Sequence, residues 1–394
     1  MKSFDYIISG AGCAGLSLAC RMALSNKFSD KQILIIDKEQ KNKNDRTWCF
    51  WEKENGFFED AVCKHWDYID VLNEDKHLHI NISPYKYKMI RGLDFYKYAQ
   101  KIISSVKNIT TINADVEKIN SVEGGVVVKT NGEEFFGEEV FNSIPFSNQT
   151  HNLSKSSAKG GESLKVRKGK YYLLQHFKGY FIKTPKPAFN IDTATLMDFH
   201  VKQFDDTRFV YTMPFTETSA LVEYTVFSPQ VLNHWEYDEA LKNYLQDILK
   251  INDYEITETE FGIIPMTNER FDFNPSKNVY NMGIAGGQTK ASSGYTFQFI
   301  QKQTSQIVAD IIAGKKPKSI NKSKHTFYDS VLLNILSNNK YHGNKIFTTL
   351  FEKNNHNRVL RFLDNESTLM EDVSIFCTLP IRVFAKAAWV EIVK

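Results

Sequence analysis

The stretch "FDYIISGAGCAGLSLACRMALS", Phe4 to Ser25, decides the fold. A short apolar run ending at Ser9 reads as a strand. Gly10-Ala11-Gly12-Cys13-Ala14-Gly15 then carries glycines in a GxGxxG spacing, and an apolar helical pattern follows through Leu16, Ala19, Cys20 and Ala23. Each glycine has its own task. Gly10 permits a tight turn, Gly12 leaves room for a pyrophosphate, and Gly15 lets helix and strand pack closely. Free N–H groups and the dipole at the helix start favour the phosphates.

Working outward, a second strand, "ILIID", ends in Asp37, 22 residues beyond Gly15. An acid about 20 residues on is placed to meet ribose hydroxyls. The whole unit predicts an α/β protein with a Rossmann-like lobe. Far downstream, "NVYNMGIAGGQTKASSGYTFQFIQKQTSQIVADIIAG" (Asn278 to Gly314) repeats the order strand, glycine loop, helix. Val279 to Ile284 reads as the strand, and Ser292 or Ser293 as the helix cap. Phe297, Ile300, Thr304, Ile307, Val308, Ile311 and Ile312 form the buried stripe, and Gly314 ends it. One extended ligand touching both ends explains the pair. FAD has that length, with its pyrophosphate at the first loop and its flavin near the second.

Between them, "YKYKMIRGLDFYKYAQKI" reads as strand then helix, with Arg91 at the junction. "VEGGVVVKTNGEEFFGEEVF" reads as a meander turning at Asn131-Gly132. In "ALVEYTVFSP" (Ala220 to Pro229) both faces are mostly apolar, yet Glu223 sits mid-strand. A buried carboxylate is paired, neutralised or used. The paired reading would take Arg208 or Lys183 as partner.

Composition bounds the rest. A 394-residue chain suggests two or three lobes, and a net charge of only +3 speaks against nucleic acid. Lys315 to Lys394 holds 13 Lys/Arg against 7 Asp/Glu, so this end alone is basic. The segment reads either as a solvated helical lobe or as one that meets an anionic membrane. Five cysteines without a CxxC pair suit a reducing compartment. His77 and His79 share a strand face, but two ligands make no metal site, and none is expected. The chain enters directly on a strand pattern, so no signal peptide is expected. No run reaches bilayer length, so any membrane contact is peripheral.

"NDRTWCFW" (Asn44 to Trp51), "ALVEYTVFS", "GIIPM" (Gly262 to Met266), "AGGQTKASSGYTF" and "RVLRFLDNESTLMEDV" occur in that order. Together they resemble the lycopene beta-cyclases, carotenoid enzymes related to the flavin monooxygenase fold. The resemblance implies a Rossmann-like FAD-binding domain, an antiparallel-sheet substrate domain and a helical C-terminal region. It implies reduced FAD, with NAD(P)H as electron donor, and lycopene or a related acyclic carotenoid as substrate. It implies Glu223 as the catalytic acid. Cofactor contacts would come from Gly10, Ala11, Gly12, Ala14, Gly15, Asp37, Lys38, Arg46, Thr47, Trp48, Arg91, Val116, Gly286, Gly287, Gly294, Tyr295 and Thr296. Tyr224 stands where many members carry a second acid, and Ala285-Gly286-Gly287 stands where the wider superfamily uses Gly-Asp.

The expected division is a FAD lobe over 1–65, 85–150 and 265–315, a substrate sheet over 66–84 and 151–264, and a helical membrane-facing region over 316–394. The expected location is cytoplasmic, on the inner face of the cell membrane, with "VSIFCTLPIRVFAKAAWVEIVK" as the interfacial helix. Two other classes share these features: a flavin monooxygenase or isoprenoid reductase, and a non-catalytic carotenoid-binding flavoprotein.

Overall fold

The computed structural model describes residues 1–145, 169–321 and 323–394; the boundary expected at 150/151 lies outside them. The chain begins β1 (Lys2–Ser9), α1 (Cys13–Ala23), β2 (Ile33–Asp37), β3 (Thr47–Glu52), β4 (Lys64–Trp66), β5 (Tyr68–Asn73), β6 (Lys76–Asn81), β7 (Lys86–Arg91), α2 (Gly92–Ile103), β8 (Ile109–Asn113), β9 (Val116–Val122), β10 (Gly125–Thr130) and β11 (Glu134–Asn142). It continues β12 (Tyr172–Lys183), β13 (Thr193–Asp198), β14 (Thr207–Thr216), β15 (Ser219–Ser228), α3 (His234–Asn243), β16 (Glu255–Thr267), β17 (Val279–Asn281) and α4 (Phe297–Ile312). Five helices follow: α5 (Ser323–Ser337), α6 (Gly343–Lys353), α7 (His356–Leu363), α8 (Leu369–Phe376) and α9 (Ile381–Ile392).

Three sheets organise these elements. The first runs β8-β2-β1-β11-β10-β9, with β17 added parallel to β11. Its β8, β2, β1 and β11 are mutually parallel, while β9, β10 and β11 form the antiparallel meander that turns at Asn131-Gly132. Parallel strands need covered faces. On one face α1, α2 and α4 supply Leu16, Leu18, Phe95 and Ile300 to a core shared with Ile8, Ile33 and Ile35. The second sheet runs β16-β12-β15-β14-β13-β5-β6. The third, β3-β7-β4, carries the "TWCFW" strand beside Arg91.

Strand β15 is covered on both faces, as its pattern predicts. Ala220, Val222, Tyr224 and Val226 pack on α3 through Tyr237 and Leu241. Leu221 and Phe227 point the other way, into a core shared with the C-terminal helices. Glu223 shares that second face, because side chains alternate with period two.

Two local expectations are corrected. β17 stops at Asn281 rather than reaching Ile284, because Gly283 turns the chain at φ +60°. Helix α4 begins at Phe297 with Thr296 in the cap position, not Ser292 or Ser293. Residues 290–295 close a turn of their own: the Ser293 and Gly294 N–H groups donate to Lys290 O, and Gly294 sits at φ +72°. Among the described residues, no helix is long and apolar enough to cross a membrane.

Candidate active site

The first glycine loop has the expected form. Gly10 adopts φ +96°, and a Cβ there would lie 2.3 Å from Ser143 Oγ. A Cβ on Gly15 would lie 1.9 Å from the Gly10 carbonyl oxygen, so helix and turn touch at that point. Gly12 differs: a Cβ would meet nothing within 4 Å. The space over Gly12 is open, and α1 starts beside it with no side-chain cap on its free N–H groups. An anion fits such a place. Asp37 Oδ2 accepts from the Ala11 N–H at 2.6 Å, and Lys41 Nζ lies 3.5 Å from Oδ1. Lys38 beside it is exposed. Val116 is buried with Leu34 and Ile36 on the sheet face away from α1.

A cavity of about 360 Å³ runs from this loop to the second sheet. Gly12 and Ala14 line one end; Arg46, Thr47, Trp48, Gly294, Tyr295 and Thr296 line the middle; Glu223 lies at the other end. Trp48 is fixed edge-on against Phe95, with centroids 5.2 Å apart. The uncapped start of α4 opens onto the cavity at Thr296 and Phe297.

Some expected contacts fall outside the cavity wall. Gly286 and Gly287 close the turn behind it: a Cβ on Gly286 would lie 2.4 Å from Asn281 O, and Gly287 packs on Phe271 at φ +72°. The wall is made instead by Gly283 and Ile284. A Cβ on Gly283 would lie 3.1 Å from the Ala14 Cβ, so it joins the two glycine loops. A glycine inside the run read as a strand was the available signal. Arg91 reaches Glu258 at 2.6 Å and stacks over Phe181 at 4.4 Å.

The far end of the cavity holds two acids. β15 and β16 flank β12 from opposite sides, and Glu223 and Glu260 are both in register with Gly179. Both acids and Gly179 therefore face the same way. With no side chain at 179, the two carboxyls meet across the strand. A Cβ there would lie 2.8 Å from Leu221 Cδ1 and 3.1 Å from Glu260 Cγ. Thr225 Oγ1 donates to Glu223 Oε1 at 3.1 Å, and Thr47 Oγ1 donates to Glu260 Oε2 at 2.6 Å.

Glu223 is only 7 % exposed. Burial, and then the neighbouring Glu260, push its carboxyl well above the usual range. Burial also raises Glu260, but hydrogen bonds from Thr47 and from Glu223 hold it down. Of the two carboxyls, Glu223 is raised by both its burial and its neighbour, and so is the one that favours the proton. Neither basic residue first considered is a partner. Arg208 is bidentate to Asp206 at 2.6 and 2.7 Å, and Lys183 is exposed at a strand end. The second carboxyl thus comes from a different strand, not from position 224. In the sequence its only signal was an acid on the strand leading into "GIIPM".

His77 and His79 gain a third donor the sequence did not suggest. Asp70 on β5 lies 3.1 Å from His77 Nε2 and 2.7 Å from His79 Nδ1. The three possible ligand atoms lie within 4.8 Å of one another, on an exposed hairpin.

A buried acid pair at the end of a cleft that begins at a glycine loop narrows the possibilities, and comparison with known families decides among them. The family described as "Lycopene cyclase protein" matches residues 5–388. The chain belongs to this family. No curated protein matches it. Solved structures share the fold at low identity. A flavoprotein/dehydrogenase from Cytophaga hutchinsonii is 12 % identical over 98 % of this chain and 99 % of its own, with TM-score 0.65. The p-nitrophenol 4-monooxygenase PnpA from Pseudomonas putida is 10 % identical over 99 % of both chains, with TM-score 0.57. A halogenase PltM variant, solved in complex with FAD, is 13 % identical over 99 % of this chain and 85 % of its own, with TM-score 0.58. This lycopene cyclase family member therefore has the α/β fold of FAD-binding flavoproteins, with a helical C-terminal region.

Proposed function

We propose that the protein is an FAD-dependent lycopene beta-cyclase that closes the acyclic end of lycopene, or a related carotenoid, into a beta-ionone ring with no net redox change. One observation carries the reading: a single cavity joins the phosphate-binding loop at Gly12 to the buried pair Glu223–Glu260. The residues fit FAD. Gly12 leaves a cradle that a side chain would fill, and the uncapped starts of α1 and α4 both open on the same space. Asp37 would hold the ribose, Arg46, Thr47 and Trp48 would border the ring system, and Gly294 to Thr296 would close its far side. When bound in reduced form, with NAD(P)H as the electron source, FAD would supply an electron-rich face beside a developing carbocation.

The chain's own residues handle the proton. An alkene is a very weak base, so its acid must be dry and close. Glu223, buried and neutral, donates to the terminal double bond and leaves a tertiary cation. The next double bond attacks that cation and closes the six-membered ring. A proton then leaves the ring carbon and returns to the carboxylate pair, which restores the starting state. Glu260 assists twice: its negative charge keeps Glu223 protonated beforehand, and it shares the returning proton. Tyr211 lies opposite Glu223 on β14, Tyr87 and Tyr295 gather beside Tyr211 in the same cavity, and burial holds all three hydroxyls neutral. Their aromatic faces can stabilise the cation without donating a competing proton.

In this reading the substrate is drawn from the cytoplasmic lipid face, where the basic, apolar end of the chain docks. Expression in a lycopene-accumulating host tests the function. A product of unchanged mass and blue-shifted absorption is expected. A product changed by oxygen or hydrogen would show the monooxygenase or reductase class instead.

A further inference from the structure

A second cavity, of about 290 Å³, lies inside the C-terminal lobe among α5, α6, α8 and α9. Its wall is almost entirely hydrocarbon, including Val331, Leu350, Phe376 and Phe384. The one charged side chain in it, Asp329, is already held by Lys290 Nζ at 2.9 Å and Ser292 Oγ at 2.6 Å. Such a cavity repels water and accepts apolar matter. Two features give it direction. Ser293 lines both this cavity and the one that ends at Glu223, so only the Ser293 turn stands between the two. At the opposite end, Ile381 and Ala385 line the cavity yet are exposed, so it opens on the surface at α9.

The surface around that opening is unusual. Among the described residues, 7 of 17 exposed large apolar side chains fall between Leu369 and Val393. On α9, Arg382 and Lys386 are exposed among them. Exposed apolar groups mixed with basic ones suit the interface of an anionic bilayer, not open water.

We propose that the second cavity is a hydrocarbon passage. The polyene of an acyclic carotenoid leaves the lipid between α8 and α9, threads the helical lobe past Ser293, and presents its end to Glu223. This rests on the cyclase reading of the site and adds where the rest of a long substrate lies.

The test uses purified, full-length protein loaded with FAD and reduced anaerobically with dithionite, and lycopene in detergent micelles. Lycopene retained through gel filtration reports binding, and chromatography of the pigment reports ring closure. Glu223→Gln should retain lycopene as the wild type does and form no ring. Ala388→Trp, which fills the passage from α9, should retain at least about ten-fold less and cyclise correspondingly less, with flavin content and Tm unchanged. Wild type that retains lycopene but forms no ring would remove the cyclase reading and leave the passage standing. Wild type that retains none, or a folded Ala388→Trp that binds and cyclises normally, overturns the passage. Should Ala388→Trp melt early, a diazirine-tagged polyene photolinked to wild type decides. Label on α5, α6 or α9 supports the passage; label confined to β16, or none, overturns it.

Discussion

Glu223 and Glu260 meet across Gly179, each in register with it from a neighbouring strand. The two acids lie 37 positions apart in the chain, and the missing side chain at 179 is what brings them together. Three strands therefore build one proton-holding unit, and its behaviour can be predicted from this geometry.

Gly179→Val should separate the acids. Its side chain would press on Leu221 and Glu260, which are already 2.8 and 3.1 Å from the Cβ position. A displacement near 1 Å costs on the order of a hundredfold in rate. Ring formation should fall by about that factor while flavin absorbance is retained; an unchanged rate would remove Gly179 from the argument.

The alkaline limb of the activity profile should report Glu223. In the proposed mechanism Glu223 works as an acid, and burial followed by the neighbouring Glu260 raises its carboxyl above the usual range. Glu260→Gln removes the neighbouring charge that helps raise it, though burial remains the larger cause. The alkaline limb should then move to lower pH. A limb that stays put or moves upward would contradict the coupling.

Stability should carry the same signature. Glu223 has a higher pKa folded than unfolded, so its contribution is complete below the unfolded value and is lost as pH rises through the folded one. Glu223→Gln does not titrate. Measured by thermal melts, the variant should gain on the wild type with rising pH, by up to about 1.4 kcal/mol per unit between the two values. A gap that stays flat from acid to alkaline pH would show that Glu223 is not buried in neutral form.

Two glycines within six residues of the end of β1 should fail in different ways. Gly12→Ala places its methyl in open space, so the protein should fold normally and emerge without flavin colour. Gly15→Ala drives a methyl to 1.9 Å from the Gly10 carbonyl oxygen and should lower Tm or prevent folding. Normal flavin content in Gly12→Ala would place the phosphates elsewhere.

Much of this architecture is legible without coordinates, because it is local. The turn at Gly10, the start of α1 and the two-sided burial of β15 each depend on residues within a few positions of one another. The helix start at Phe297 was misplaced for a related reason. Ser292 and Ser293 have the chemistry of caps, but a tight turn over 290–295 uses those positions, and Ser292 turns to Asp329 in α5.

The sequence alone determined the glycine turn before α1, the family and the presence of a costly acid on β15, since glycine spacing and strand alternation are written in consecutive residues. Only the tertiary structure decided what that acid touches. Its partner Glu260, the gap at Gly179 and the shared wall at Ser293 come from strands and loops far apart in the chain. Their meeting depends on register and sheet order, which the packing of the whole molecule sets.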